Sequence, residues 1–220
     1  MEIDFVIGSL KYRINSDGSS VTVIGCDEKY TGILIIALGV QYEGKVYTVT
    51  TIGEGAFGNC SGLALVLIPN SVTKIGNKAF AECTGLTTIS VPDSVTEIGA
   101  LAFIGCRSLK AIYVSDGNTR YDSRDDCNAI IETESNTLIV GCKSTVIPNS
   151  VTMIGDFAFN GCSDLTSVVI PDSVTKIGGW AFASCRDLAS VVIPDSVTWI
   201  GPCAFSGTPW EKRMRQIAKK

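Results

Sequence analysis

The chain has 220 residues, 45% of them apolar and 18% charged, which is enough apolar side chain to fold and too little charge to hold the chain open. Eighteen Lys and Arg against twenty-two Asp and Glu leave a net charge of −4 that offers nucleic acid no general attraction, and the absence of His removes the commonest general base and metal ligand. The longest apolar run, Ile33 to Val40, falls far short of the roughly 20 residues of a membrane-spanning helix, and the opening MEIDFVIGSL lacks the basic residues and apolar core of a signal peptide.

Residues 1–44 carry β-like runs at Phe5 to Ile7, Leu10 to Ile14, Val21 to Ile24 and Ile33 to Ile36, with Asn15-Ser16-Asp17-Gly18 as a hairpin turn between the second and third. This segment is read as an N-terminal β cap. From residue 45 a period of 23 residues takes over. A degenerate copy at 45–67 keeps Ile52, Gly53, Ala56, Phe57, Cys60 and Leu63; full copies follow at 68–90, 91–113, 147–169 and 170–192, and another begins at Ile193 and departs after Phe205. One such piece cannot bury its own apolar face, so the copies are expected to stack into a solenoid over 45–207.

The unit reads L-x-x-[IV]-x-[IV]-P-[DN]-S-V-T-x-I-G-x-x-A-F-x-x-C, as in Leu165, Val168, Ile170, Pro171, Ser173, Ile177, Gly178, Phe182 and Cys185. Strands are expected at about 63–68, 86–91, 109–114, 165–170 and 188–193, with Val168 and Ile170 pointing in and Val169 out. Pro ends each strand because it has no N–H for the ladder. The Ala-Phe-x-x-Cys stretch has room for about one helical turn on the opposite, convex wall.

Residues 114–146 stretch the unit beyond its period. Two apolar runs, Ala129 to Ile131 and Leu138 to Val140, flank a polar stretch and read as a β-hairpin. With Glu134-Ser135 at the turn, Ile131 faces Leu138, Ala129 faces Val140 and Cys127 faces Cys142; a slip of one residue parts the thiols. The hairpin is open to two readings: a structural variant of the repeat, or a binding loop with exposed Arg120, Tyr121 and Arg124. At the C-terminus, Thr208-Pro209-Trp210-Glu211 is a capping box, and Trp210, Met214 and Ile217 form an apolar stripe, so 208–220 reads as a capping helix. Its basic residues are either a solvated face or a site for an acidic partner.

The five [IV]-P-[DN]-S-V-T segments and six I-G-x-x-A-F segments make the chain resemble the BspA-like leucine-rich-repeat family over roughly residues 45–208. Tyr42 to Tyr47 resembles that family's opening segment. The resemblance implies an α/β repeat solenoid, a right-handed coil with parallel strands on its concave face and short helical or 3-10 turns on its convex face. It also implies a non-catalytic module that binds a protein or glycan in surface adhesion or contact with a host or matrix.

Stacking turns each repeat position into a ladder. Phe57, Phe80, Phe103, Phe159, Phe182 and Phe205 read as core, and the Gly after each Ile as a corner that a Cβ would obstruct. Ser71, Ser94, Ser150, Ser173 and Ser196 have hydroxyls suited to loop backbone groups and no base to make them nucleophiles. Cys60, Cys83, Cys106, Cys162 and Cys185 form a line rather than a point, which favours buried inert thiols over zinc ligands, with redox regulation as the alternative. Asp93, Asp172 and Asp195 alternate with Asn70 and Asn149, as a turn preference requires and a calcium line does not.

No catalytic residue, metal or cofactor is expected. The outward strand positions read as small and weakly polar apart from Tyr113, while Lys74, Glu97, Met153, Lys176 and Trp199 vary at one repeat position. Thr88, Lys110, Tyr113, Arg120, Tyr121, Ser167, Trp180, Ser190 and Trp199 make up the candidate binding surface of a monomer. The alternative function is an intracellular scaffold, favoured by the missing signal and the apparently free thiols. Surface or secreted localisation requires that an export signal was removed.

Overall fold

The structure, a computed structural model, describes residues 4–27 and 29–217. Met1 to Ile3 of the opening segment and Lys219 and Lys220 of the basic tail lie outside the described residues. The chain forms two compact units, one from residues up to Cys106 plus Ser115–Thr119, the other from Arg107–Val114 and from Arg120 onward.

In the first unit the strands are β1 (Asp4–Ile7), β2 (Leu10–Ile14), β3 (Ser20–Cys26), β4 (Thr31–Ile35), β5 (Gly39–Tyr42), β6 (Lys45–Ile52), β7 (Gly62–Leu67), β8 (Lys74–Ile75), β9 (Thr88–Val91) and β10 (Glu97–Ile98). The turn between β2 and β3 forms as expected, because the Asp17 carboxylate accepts from the Ser19 and Ser20 N–H groups at 2.8 Å and from the Ser20 hydroxyl at 2.6 Å. β3 then runs parallel to β6, and β6, β8 and β10 continue that sheet with Ile52 and Ile75 in register. β4, β7 and β9 stand parallel in a second sheet. Each repeat thus contributes two strands: the expected one on L-x-x-[IV]-x-[IV], and a two-residue strand on x-I before the corner Gly, which is too short to leave a period in the sequence.

The second unit holds β11 (Ala111–Val114), β12 (Tyr121–Asp122), β13 (Ala129–Glu132), β14 (Thr137–Gly141), β15 (Met153–Ile154), β16 (Ser167–Val169), β17 (Lys176–Ile177), β18 (Ser190–Val192), β19 (Trp199–Ile200) and the helix α1 (Pro209–Ile217). Its larger sheet has the order β12-β13-β14-β15-β17-β19, antiparallel across the hairpin and parallel from β14 onward. Near the hairpin turn the register is as expected, with Ile131 opposite Leu138. A bulge then inserts Ile139, so Ile130 pairs with Val140 and Ala129 with Gly141. Ala129 therefore does not face Val140, and the register no longer sets Cys127 against Cys142. Both thiols are free: Cys127 lies 3.8 Å from the Ser123 hydroxyl, and Cys142 donates to the Asn128 carbonyl at 3.5 Å.

The I-G-x-x-A-F-x-x-C segments correct a second expectation: they are turns, with neither α nor 3-10 helix. Lys78 and Glu82 have positive φ of 54° and 56°, as do Trp180 and Ser184 at 51° and 62°, and left-handed residues at every fourth position exclude a helix. Alternate N–H groups serve different partners. Ala79 and Ala81 bond back within their own turn, while Lys78, Phe80 and Glu82 donate to the carbonyls of Ala100, Ala102 and Ile104 in the next repeat. The physical reason is the ladder: N–H groups that donate to the next repeat are not available to bond four residues back as a helix requires.

The core follows the ladders. Phe57, Phe80 and Phe103 stack at 5.5 Å in the first unit, and Phe159, Phe182 and Phe205 at 4.8 and 5.1 Å in the second. Four of the five repeat thiols have a backbone acceptor on the preceding rung: Cys83 donates to Phe57 O at 3.1 Å, Cys106 to Phe80 O at 3.3 Å, Cys162 to Gly141 O at 3.6 Å and Cys185 to Phe159 O at 3.1 Å. The serines act likewise, Ser94, Ser173 and Ser196 donating to the carbonyls of Val72, Val151 and Val174. Thr208 Oγ1 accepts from the Glu211 N–H at 3.1 Å to start α1, and the Trp210 ring packs at 4.7 Å on Phe205.

Burial pushes the thiols of Cys83 and Cys185 from 9.0 up to about 12. Unfolded thiols ionise near pH 9 while these stay protonated, so their contribution to stability is complete below that pH and is lost as pH rises toward about 12. A melting temperature that is level from neutral pH up to about pH 9 and falls above it is the expected result. Cys185→Ala should flatten that fall, and an unchanged slope would remove the thiols as its cause.

Candidate functional site

On β16 and β18, Ser167 lies opposite Ser190, Val168 opposite Val191 and Val169 opposite Val192. Period-two alternation buries Val168 and turns Val169 and Val192 outward, where they are 68% and 55% exposed. The same repeat position holds Tyr113 on β11, 58% exposed, and Val146, 74% exposed. These four residues are the protruding position of their repeats, held on backbone whose other face is packed into the core. Lys110, Ser167 and Ser190 are exposed around them, and a Lys143–Asp164 ion pair of 2.8 Å stands nearby in sequence. In the first unit the corresponding residues are Leu67, with Ile35 of β4 beside it in register, and Ser90; Thr88 on β9 is half-buried.

This face is more apolar than its composition suggested. Counting every outward x position averages Thr, Ser and Ala with the one position that protrudes most. That position is the x immediately before the [IV]-P pair, as at Val146 and Leu67, while Ile35 is brought beside Leu67 only by the pairing of β4 with β7. The signal available in the sequence was the recurrence of Val there, at Val146, Val169 and Val192.

A second face carries the variable positions. Thr137, Met153, Lys176 and Trp199 stand in register across β14, β15, β17 and β19. In the first unit Thr51, Lys74 and Glu97 do the same, with Lys74 and Glu97 paired at 2.8 Å. At the corners of the second unit, Phe157 and Trp180 stack at 5.4 Å with their planes 1° apart. Trp180 and Trp199 are 41% and 46% exposed.

The hairpin residues are placed differently from expectation. Tyr121 on β12 is buried at 5% exposure, because the alternation along that strand turns its ring into the core, so it is not an exposed recognition residue. Arg120 pairs with Glu132 at 2.8 Å and Glu134 at 2.9 Å. Arg124 bonds to Asp122, to Asn136 at 2.8 Å and to the Ser150 hydroxyl at 3.3 Å. Both guanidinium groups are engaged with the hairpin's own acids and polar groups. Among the described residues no three His, Cys, Asp or Glu side chains converge as metal ligands, and no helix is long and apolar enough to cross a membrane.

Stacked repeats with a buried L-x-x-[IV]-x-[IV] strand and a phenylalanine ladder define a strand-rich leucine-rich-repeat protein with few helices. The chain belongs to the BspA-type leucine-rich-repeat family: the family model described as "BspA type Leucine rich repeat region" matches residues 46–128 and 130–212, in six copies. Similar solved structures include these three. A leucine-rich cell surface protein from Faecalibacterium prausnitzii A2-165 is 22% identical over 93% of this chain and 80% of that one, with a TM-score of 0.57. A leucine-rich repeat protein from Bacteroides ovatus ATCC 8483 is 28% identical over 94% of this chain, which spans 57% of that one, with a TM-score of 0.63. The T. pallidum leucine-rich repeat protein is 22% identical over 99% and 95% of the two chains, with a TM-score of 0.54. The likenesses at 22% identity are likenesses of fold. No match was found among curated proteins. The family is one of binding modules, and no enzymatic family is indicated.

Proposed function

We propose that this chain is a protein-binding module whose partner docks on the outward face of the L-x-x-[IV]-x-[IV] strands, in adhesion at a cell surface or contact with a host or matrix. The observation that carries this is the exposure of Tyr113, Val146, Val169 and Val192, one repeat position of the second unit, with Val169 and Val192 in register. One aromatic and three β-branched side chains on rigid backbone lose little conformational entropy on binding and offer the apolar centre that interface hot spots need. The F. prausnitzii neighbour, described as a cell surface protein, supports the location.

Two specific observations favour other readings. The stacked Phe157 and Trp180 offer flat aromatic surface of the kind that sugars pack on, which favours a glycan on the other face. Nine free thiols favour a scaffold inside a cell.

The test is binding of the purified chain to a panel of matrix proteins, to a glycan array, and to soluble proteins of the producing cell. The expected result is a matrix-protein ligand whose affinity falls about tenfold or more with Val169→Lys plus Val192→Lys and is unchanged with Trp180→Ala. Loss of binding with Trp180→Ala alone would favour the glycan reading. Binding confined to soluble cell proteins would favour the scaffold.

A further inference from the structure

The thiol ladder has a first rung, and that rung differs from the rest. Cys83 and Cys106 each donate to the carbonyl of a phenylalanine one repeat back, Phe57 and Phe80. Cys60 belongs to the first copy of the repeat, so no earlier phenylalanine exists for it. What lies there instead is the end of β3. Val23 is in register with Ile52, the Gly53 N–H donates to Val23 O at 2.8 Å, and Lys29 Nζ donates to Gly58 O at 2.9 Å. Residues 23–27 and Lys29 therefore lie along the first repeat as a rung would. They place a second thiol, Cys26, beside Cys60.

Cys26 and Cys60 line one open cavity of about 380 Å³ together with Lys11, Asp27 and Lys29. Both thiols belong to the lining of this one cavity, and each lies within the electrostatic reach of the other. Cys60 is buried and Cys26 is partly exposed, so one thiol of the pair is open to a reagent and the other is shielded from it. Lys11 is tied to Asp27 at 3.0 Å and Lys29 to the Gly58 carbonyl, which fixes the chain just after Cys26, while pairing of β3 with β2 fixes it just before. This is the arrangement of an attacking and a resolving thiol.

From this geometry we infer that Cys26 and Cys60 are an oxidisable pair, and that a low-molecular-weight disulfide converts them into a cross-link tying the end of β3 to the first repeat. The Cys26 thiolate attacks one sulfur of oxidised glutathione, giving a mixed disulfide and releasing one glutathione thiolate. The Cys60 thiolate then attacks the Cys26 sulfur, forming the Cys26–Cys60 bond and releasing the second glutathione thiolate. Two protein thiols are oxidised, one glutathione disulfide is reduced, and the thiol protons leave to solvent or to the departing glutathione. Burial and the adjacent Cys60 thiol push Cys26 up, and the Lys29 ammonium opposes them, so exchange is slow at neutral pH and faster in mild alkali.

The cross-link would close a long loop that includes β4, β5 and β6, and would restrict the unfolded chain accordingly. The experiment treats the full chain with oxidised glutathione in mild alkali and maps disulfides by non-reducing peptide mass spectrometry. A peptide pair joined through Cys26 and Cys60 is expected, with a melting temperature raised by roughly 5–10 °C and restored by dithiothreitol. Cys26→Ser, at a partly exposed position, should give neither the linked pair nor the rise. A glutathione adduct that persists on Cys26, a Cys60 that stays open to alkylation after unfolding, or linkage of Cys26 to any other cysteine would overturn the inference.

Discussion

Phe182→Ala is expected to cost about 3–5 kcal/mol in chemical denaturation, near the upper end for a single core truncation. The Phe182 ring is fully buried and lies between Phe159 and Phe205 at 4.8 and 5.1 Å, nearly parallel to both. Removing it takes away the transfer free energy of a large aromatic side chain and two stacking contacts at once. The neighbouring rings cannot close the gap. Their spacing is set by main-chain bonds, Phe159 N to Ala181 O and Phe182 N to Ala204 O, both at 2.7 Å. A cavity therefore persists, and its cost adds to the lost burial. A loss below about 1 kcal/mol would mean that the ladder is not the core of this unit.

Gly178→Ala and Gly179→Ala should part company although they are neighbours. A Cβ on Gly178 would stand 2.4 Å from the Asp156 nitrogen and 2.5 Å from the Gly155 carbonyl carbon. Both are backbone atoms of the preceding repeat, held there by the 2.7 Å bond from Gly178 N to Ile154 O. No rotamer relieves such a contact, so the rungs must separate. That weakens the 2.6 Å bond from Gly179 N to Asp156 Oδ1 as well. The expected cost is about 3 kcal/mol, at the top of the usual range for overpacking. A Cβ on Gly179 would meet nothing nearer than 3.5 Å. That substitution should change stability by less than about 1 kcal/mol, because it also reduces the freedom of the unfolded chain. Equal melting temperatures for the two variants would show that the corner glycine is not there for close approach.

Both results rest on ladders legible in the sequence. The period, the phenylalanine core, the corner glycine, the L-x-x-[IV]-x-[IV] strand and the helix start at Thr208 are local patterns, and local chemistry is enough to dictate them. Alternation decides which of Val168 and Val169 is buried, and a missing N–H decides where each strand stops. A capping hydroxyl decides where a helix begins.

Tertiary structure decided what depends on the neighbouring rung. The x-I strands exist only because Lys176 lies between Met153 and Trp199, and two residues have no strand propensity of their own to read. The left-handed residues at Lys78 and Trp180 arise because their N–H groups reach carbonyls of the next repeat, Ala100 and Pro202. The bulge at Ile139 shifted the hairpin by one residue, a change no composition records, and it moved Cys127 out of line with Cys142. Tyr121 went into the core by the same dependence on its strand partner, Glu132. Hydrogen bonds between residues a full repeat apart set these features, and their geometry is known only once the rungs are stacked.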